Sequence, residues 1–421
     1  MVYRERVTDS VLKFKLQCCG AVVIEGPRFC GKTTSAKHIA KSWISLDMPF
    51  DKQSGQINLA DINLSKTLDG ATPRLIDEWQ VSPRIWDAIR HEVDERSKPG
   101  QFILTGSSTP VDPNSTIHSG TGRFAWLKMN PMSLYESGDS NGDISIEALF
   151  KAPTTIEGVS TLDSERLAFL TCRGGWPDSI DVPEQIALGK ASDYYQHVIK
   201  IDLNRVDGRN KNMVNVQKLM PALARHQGAQ VTNTTLLADL NNSIGLETLS
   251  VYLNALKKIY ILSPLTAWNP NLRSKTAIRT SDTNYFVDSS IACAALQIGP
   301  NDLFNDLNTF GLMFETLAIR DLRIFAESLN GDLYHYRDKN GLECDAVMHL
   351  RNGQYGLIEI KLADNEYSIK TATKNLLALK NKIDTTKMKQ PSFLMILTGT
   401  GKYAYTTKDG VCVVPIGCLK N

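Results

Sequence analysis

The sequence predicts an α/β protein of several domains, and three observations carry that reading. Apolar runs closed by a polar residue recur at 21–24, 75–76 and 102–104, as expected for neighbouring parallel strands buried on both faces. Directly after the first run, Gly26-Pro27-Arg28-Phe29-Cys30-Gly31-Lys32-Thr33 fits GxxxxGK[ST], a loop whose backbone N–H groups surround phosphate oxygens at a helix N-terminus. At 421 residues the chain also exceeds a single core, since domains run to roughly 100–200 residues.

Composition narrows the classes. Net charge is +2, so nucleic-acid affinity has to come from a local basic surface and not from a global field. The N-terminus "MVYRERVTDSVLKF" has no secretory apolar core, and no apolar run approaches the roughly 18 residues of a membrane span, so a cytoplasmic protein without a membrane partner is expected. Eight scattered cysteines without a CxxC pair point to reduced thiols and no structural zinc.

Each element then has its reason. "TTSAKHIAKSW" places Ala36, Ile39, Ala40 and Trp43 at helical spacing, predicting a helix that begins at the phosphate loop. In it Lys32 reaches the β and γ phosphates of ATP, Thr33 ligates Mg²⁺ and Thr34 continues the helix. "PRLIDEWQ" supplies Asp77 for the metal and Glu78 to orient or activate water; "LTGSS" brings Thr105 and Ser107 towards the phosphates. Arg123, after the Gly-rich "HSGTG", is a candidate to stabilise γ-phosphate charge in cis or from a neighbouring subunit. "SGDSNGDIS", 137–145, reads as a loop, and 156–211 as a small helical lid broken at "RGGWPDSI".

From 215 the pattern is helix, turn, amphipathic helix (Leu249, Tyr252, Leu253, Leu256) and strand-like "YIL" and "NYFVD", the order of a winged helix. Between 251 and 280, Lys257, Lys258, Arg273, Lys275 and Arg279 stand with no acidic residue, a patch suited to phosphate-backbone contact with DNA.

In the last third, Glu359 and Lys361 share one face of an apolar strand, and Asp345 lies on the strand before it. A three-residue turn Arg351-Asn352-Gly353, with Gly353 left-handed, would set Asp345 opposite Glu359. Paired carboxylates beside a lysine suit metal-assisted phosphodiester hydrolysis, Asp345 and Glu359 binding Mg²⁺ and Lys361 orienting or deprotonating water. Glu315 interrupts the helical stripe Leu312, Ile319, Leu322, Ala326 and so needs a partner: the metal, or an arginine such as Arg320 or Arg337.

"GPRFCGKTT", "LIDEWQ", "LTGSS", "SGTGR", "PMSLYE" and "GGWP", followed by "FVDSSIA", "FGLMFE", "YHYRD", "GLECD" and "EIKL", resemble AAA+ P-loop ATPases with a C-terminal DUF4143 domain. The resemblance implies an AAA+ core at 1–150, a helical lid at 151–214, a winged helix at 215–295 and a restriction-endonuclease-like α/β domain of the PD-(D/E)xK type at 296–421. It places nucleotide contacts on Gly31, Lys32 and Thr33, metal and base roles on Asp77 and Glu78, and nuclease-like roles on Glu315, Asp345, Glu359 and Lys361. The expected function is an Mg²⁺-dependent ATPase that binds ATP and ADP and hydrolyses ATP, coupled to a half that binds and cleaves DNA, in a homo-oligomer. The alternative is an ATP-gated binding or scaffolding protein with an inactive nuclease fold.

Overall fold

The computed structural model describes residues 3–47, 64–106, 120–151, 155–203, 211–270 and 281–421. Its first sheet is parallel and five-stranded: β1 Ala21–Glu25, β2 Ser42–Ser45, β3 Arg74–Asp77, β4 Phe102–Thr105 and β5 Phe124–Lys128, in the order β2-β3-β4-β1-β5. Alternation along the strands feeds two cores. Val22, Ile24, Leu75 and Ile103 meet Val11, Leu12 and Leu16 of the helix Val7–Cys18. Ala21, Val23, Ile76 and Leu104 meet Ile85, Trp86 and Ile89 of the helix Arg84–Arg96. Both faces are therefore covered, which is why β1 and β4 read as unbroken apolar runs.

The helix after the phosphate loop ends at Ile39, not beyond Trp43. Trp43 stands in β2, opposite Leu75 of β3, because a short apolar run is compatible with either spacing and pairing to β3 decides it.

The middle of the chain is helical: Ser164–Arg173, Glu184–His197, Met213–Arg225, Asn233–Asp239 and Leu246–Lys258. After these, Leu262 pairs antiparallel with Phe286 and Leu265 with Thr283. Arg273, Lys275 and Arg279, between those pairs, lie outside the described residues. The helices Ser289–Leu296 and Leu307–Ser328 lead into the last unit.

Two short strands come early, β6 Ile144–Ser145 and β7 Gly158–Val159; the segment read as a loop from 137 to 145 thus ends in a strand. The remaining strands are β8 Gly331–Arg337, β9 Glu343–Leu350, β10 Tyr355–Lys361, β11 Phe393–Thr398, β12 Tyr403–Thr406, β13 Cys412–Pro415 and β14 Leu419–Lys420. They form a seven-stranded mixed sheet, β7-β12-β13-β11-β10-β9-β8, and a parallel pair, β14-β6. Residues on both sides of position 150 therefore complete the C-terminal sheets.

The turn between β9 and β10 has three residues, with Gly353 at φ +83° and Leu350 N donating to Gln354 O at 2.8 Å. Ile358 pairs with Ala346, and the same register continued by one residue would set Glu359 against Asp345. No helix among the described residues is long and apolar enough to cross a membrane.

Candidate functional site

Parallel pairing brings the C-terminal ends of β1, β3 and β4 to one edge, since Ile24 and Asp77 both stand against Thr105. The phosphate loop leaves β1 there. At Gly26, φ +153°, a Cβ would lie 2.0 Å from Met129 O, so a side chain has no room. Gly31, at φ +104°, turns the chain into the helix Lys32–Ile39, whose first N–H groups have no intrahelical acceptor and can face an anion. Lys32 is buried, and its Nζ donates to Gly26 O at 2.8 Å and Pro27 O at 2.7 Å.

Thr33 Oγ1 donates to Asp77 Oδ1 at 2.9 Å, and Thr105 Oγ1 donates to the same oxygen. A hydroxyl and a carboxylate converging beside the loop are hard oxygen donors that fit Mg²⁺. Glu78 follows at φ +54°, and its carboxylate accepts from Gln80 Nε2. Thr34 lies in the helix's first turn, Arg28 pairs with Asp202 at 2.8 Å, Phe29 is exposed, and the buried Cys30 thiol donates to Met129 O at 3.5 Å. Ser107 lies outside the described residues.

Arg123 is not brought to its own loop. Its carbonyl accepts from Ala21 N at 3.1 Å, which places it where β1 begins. That is a strand length, about 16 Å, from where the loop leaves. Its guanidinium pairs with Asp94 at 2.9 Å. An arginine acting in cis is thereby ruled out: β1 and β5 run parallel and in register, so the residue before β5 sits beside the start of β1.

The C-terminal cluster does assemble. Lys361 Nζ lies 2.8 Å from Glu359 Oε2 and 3.1 Å from Asp345 Oδ2, and Ile360 N donates to that same Asp345 oxygen at 2.7 Å. Burial opposes the charge on Lys361, but Asp345 and Glu359 outweigh it and raise its pKa. Burial and the Asp345 charge push Glu359 and Glu315 up. Glu359 Oε1 is buried without a hydrogen-bond partner, an oxygen that a cation would satisfy. Among the described residues, however, no three His, Cys, Asp or Glu are arranged to hold a metal ion.

Glu315 takes neither expected arginine. Arg320 pairs with Asp288 and Asp321, and Arg337 with Glu343, while Glu315 Oε1 accepts from Tyr285 OH at 2.5 Å.

A family model described as an AAA domain matches residues 20–138, and one described as a domain of unknown function, DUF4143, matches 310–419. The chain is an AAA-type P-loop ATPase with a C-terminal DUF4143 domain. A further domain of unknown function, DUF8612, matches 164–302. The AAA unit is the part that binds ATP. Uncharacterized proteins of Mycobacterium tuberculosis and Mycobacterium bovis are each 23% identical to it over 363 residues, spanning 86% of this chain and 74% of theirs. Among solved structures, a Walker-type ATPase of Pyrococcus abyssi is 13% identical, covering 70% of this chain and 96% of its own, with TM-score 0.35. The RuvB Holliday junction branch migration motor of Thermotoga maritima is 17% identical, covering 61% and 86%, with TM-score 0.27.

Sequence reasoning missed Arg6. It is buried beneath the phosphate loop, donating to Cys30 O at 2.8 Å and Asn130 O at 2.9 Å, and it pairs with Glu136 at 3.0 Å. A partial signal existed: "SLYE" is a capping-box pattern, and Ser133 and Glu136 do form that box, fixing the carboxylate that Arg6 meets.

Proposed function

We propose that this AAA ATPase hydrolyses ATP with Mg²⁺ and that its nucleotide state governs a C-terminal half that binds and cleaves DNA. The observation that carries the reading is the Asp345–Lys361–Glu359 cluster, with Glu315 near enough for its ionisation to feel all three. On the nucleotide side, Lys32 would exchange its two loop carbonyls for phosphate oxygens, and Glu78 would orient the attacking water. Thr33 and Asp77, or Asp345 and Glu359, would hold Mg²⁺, which would supply positive charge for a phosphoryl oxygen. Lys361 would orient water or phosphate rather than take a proton, because its two carboxylate neighbours hold it cationic.

The three helices and paired segments between 213 and 286 support a winged-helix reading, with Lys257 and Lys258 exposed at the end of one helix for DNA phosphates. Arg123, far from its own loop, would serve a neighbouring subunit's nucleotide in a homo-oligomer.

A second reading is an ATP-gated binding or scaffolding protein with an inactive nuclease fold. Lys361 favours it by standing between the carboxylates that would bind a metal. Incubation of single-stranded, duplex and branched DNA with Mg²⁺ or Mn²⁺, with and without ATP, separates the two. Cleavage lost in Lys361→Ala supports the nuclease, and its response in Lys32→Ala reports ATP control. Persistent ATP hydrolysis without cleavage of any substrate selects the second reading.

A further inference from the structure

One side of the C-terminal cluster, at Glu315, is covered by the segment that precedes its own domain, while Lys361 and Asp345 keep side-chain exposures of 30% and 20%. Tyr285, 1% exposed, donates its hydroxyl to Glu315 Oε1 at 2.5 Å. Beside it Gly228, at φ +70°, lies so close that a Cβ would stand 2.7 Å from the same oxygen. Gly228 is tied to the Tyr285 strand, its N–H donating to Asn284 O at 3.2 Å, and Gln227 Oε1 accepts from Phe286 N at 2.7 Å. The cavity bounded by Gly228, Gln230, Tyr285, Glu315, Tyr336 and Asp345 measures about 30 Å³. That is space for about one water, so a nucleic-acid strand does not reach Glu315 from this side.

The covering segment is also joined to the nucleotide loop. Three residues beyond Tyr285, Asp288 accepts from Gly175 N at 2.9 Å, and Trp176 Nε1 donates to Ser290 Oγ at 2.9 Å. The joint has no slack, since a Cβ at Gly175 would fall 2.1 Å from Met132 O and one at Gly174 2.2 Å from Asp288 Oδ1. On its other side the turn comes close to the loop itself. Pro177 Cγ stands 3.5 Å from where a Gly31 Cβ would be, and Tyr194, tilted against Trp176 with ring centroids 3.9 Å apart, meets Phe29 edge-on at 6.4 Å.

We propose that Tyr285 and the 227–230 loop form a plug over the Glu315 side of the C-terminal cluster, and that ATP at the phosphate loop withdraws it through the turn Gly174–Pro177 and residues 288–290. The reading of the cluster as a nucleic-acid site underlies the biological use of the plug, but the plug itself is testable apart from it. A nucleotide that seats on Gly31 presses on Pro177, and the packed turn passes the displacement to Asp288 and so to Tyr285.

The test is amide hydrogen exchange on the full chain, with and without a non-hydrolysable ATP analogue and Mg²⁺. In the wild type, exchange at 226–230 and 283–287 rises by about threefold or more with nucleotide. It stays flat in Lys32→Ala. Tyr285→Phe, which loses one buried hydrogen bond to a carboxylate, shifts the open fraction by about tenfold or more without nucleotide. Ser290→Ala, a milder change, weakens the response to nucleotide while leaving ATP hydrolysis within about twofold. Unchanged exchange at both segments in wild type saturated with the analogue overturns the proposal, as does an identical response in Ser290→Ala. Opening with ATP but no DNA cleavage keeps the plug and rejects the nuclease reading.

Discussion

Arg320→Met removes the cation at the centre of the buried joint. Arg320, 2% exposed, lies 2.8 Å from Asp288 and 2.7 Å from Asp321, and both carboxylates are buried as deeply. Stripping a buried pair of one partner costs about 3–5 kcal/mol, because the other charge is left without compensation. Burial pushes Asp321 up to about 6 even with Arg320 beside it. Its ionised form therefore already costs the fold roughly 3 kcal/mol at neutral pH. Burial works against Asp288 as well, but Arg320, Ser290 and the Gly175 amide together hold it below the usual carboxylate range.

The sign for Asp321 follows from its raised folded pKa: the fold binds the proton more tightly than the unfolded chain. Stability from that protonation is full below the unfolded value near 3.8 and is lost as pH rises through about 6. Without Arg320 both carboxylates titrate higher, so acid rescues the variant more than the wild type. Urea unfolding followed by tryptophan fluorescence should show a deficit of about 3–5 kcal/mol at pH 8. At pH 5.5 the deficit should shrink by about 1 kcal/mol or more. A deficit under about 1 kcal/mol, or one independent of pH, would refute the assignment of this joint as a charge-dependent tie.

Lys32→Ala should lower steady-state ATP hydrolysis roughly 100-fold, the scale for losing a preorganised charge on a transferring phosphoryl group; turnover near wild type would displace Lys32 from the γ-phosphate. Lys257→Ala with Lys258→Ala should reduce the slope of log affinity for duplex DNA against log salt by roughly 2, read by fluorescence anisotropy. An unchanged slope removes that helix end from the DNA contact. For Arg123, hydrolysis per subunit should rise as wild type is concentrated, and Arg123→Ala should abolish the rise; a flat wild-type rate counts against action in trans.

The features legible in the sequence are those whose geometry is set locally. The phosphate loop needs glycines at Gly26 and Gly31 for steric and backbone reasons that the pattern itself records. The register of β9 against β10 follows from the length of one turn and the left-handed preference of Gly353. Arg6, Gly228 and Tyr285 were silent because each acts through a partner far away in the chain, Cys30, Glu136 or Glu315. Nothing in "NYFVD" says that its tyrosine meets a glutamate of the helix Leu307–Ser328. Arg123 was legible as a charge but not as a position, since the parallel pairing of β1 and β5 is what carries it to the wrong end of the sheet.

The pairing of β6 with β14 and of β7 with β12 also bears on how the molecule is made. On the ribosome the AAA unit can complete its own sheet early, but the stretch 144–159 must wait, its edges bare, until residues 403–420 have been synthesised. A gene fragment that begins after the middle helices would lack β6 and β7 and leave the Tyr403 edge open to other chains. The two halves are thus a poor target for recombination by a single crossover, and inheritance should keep them together.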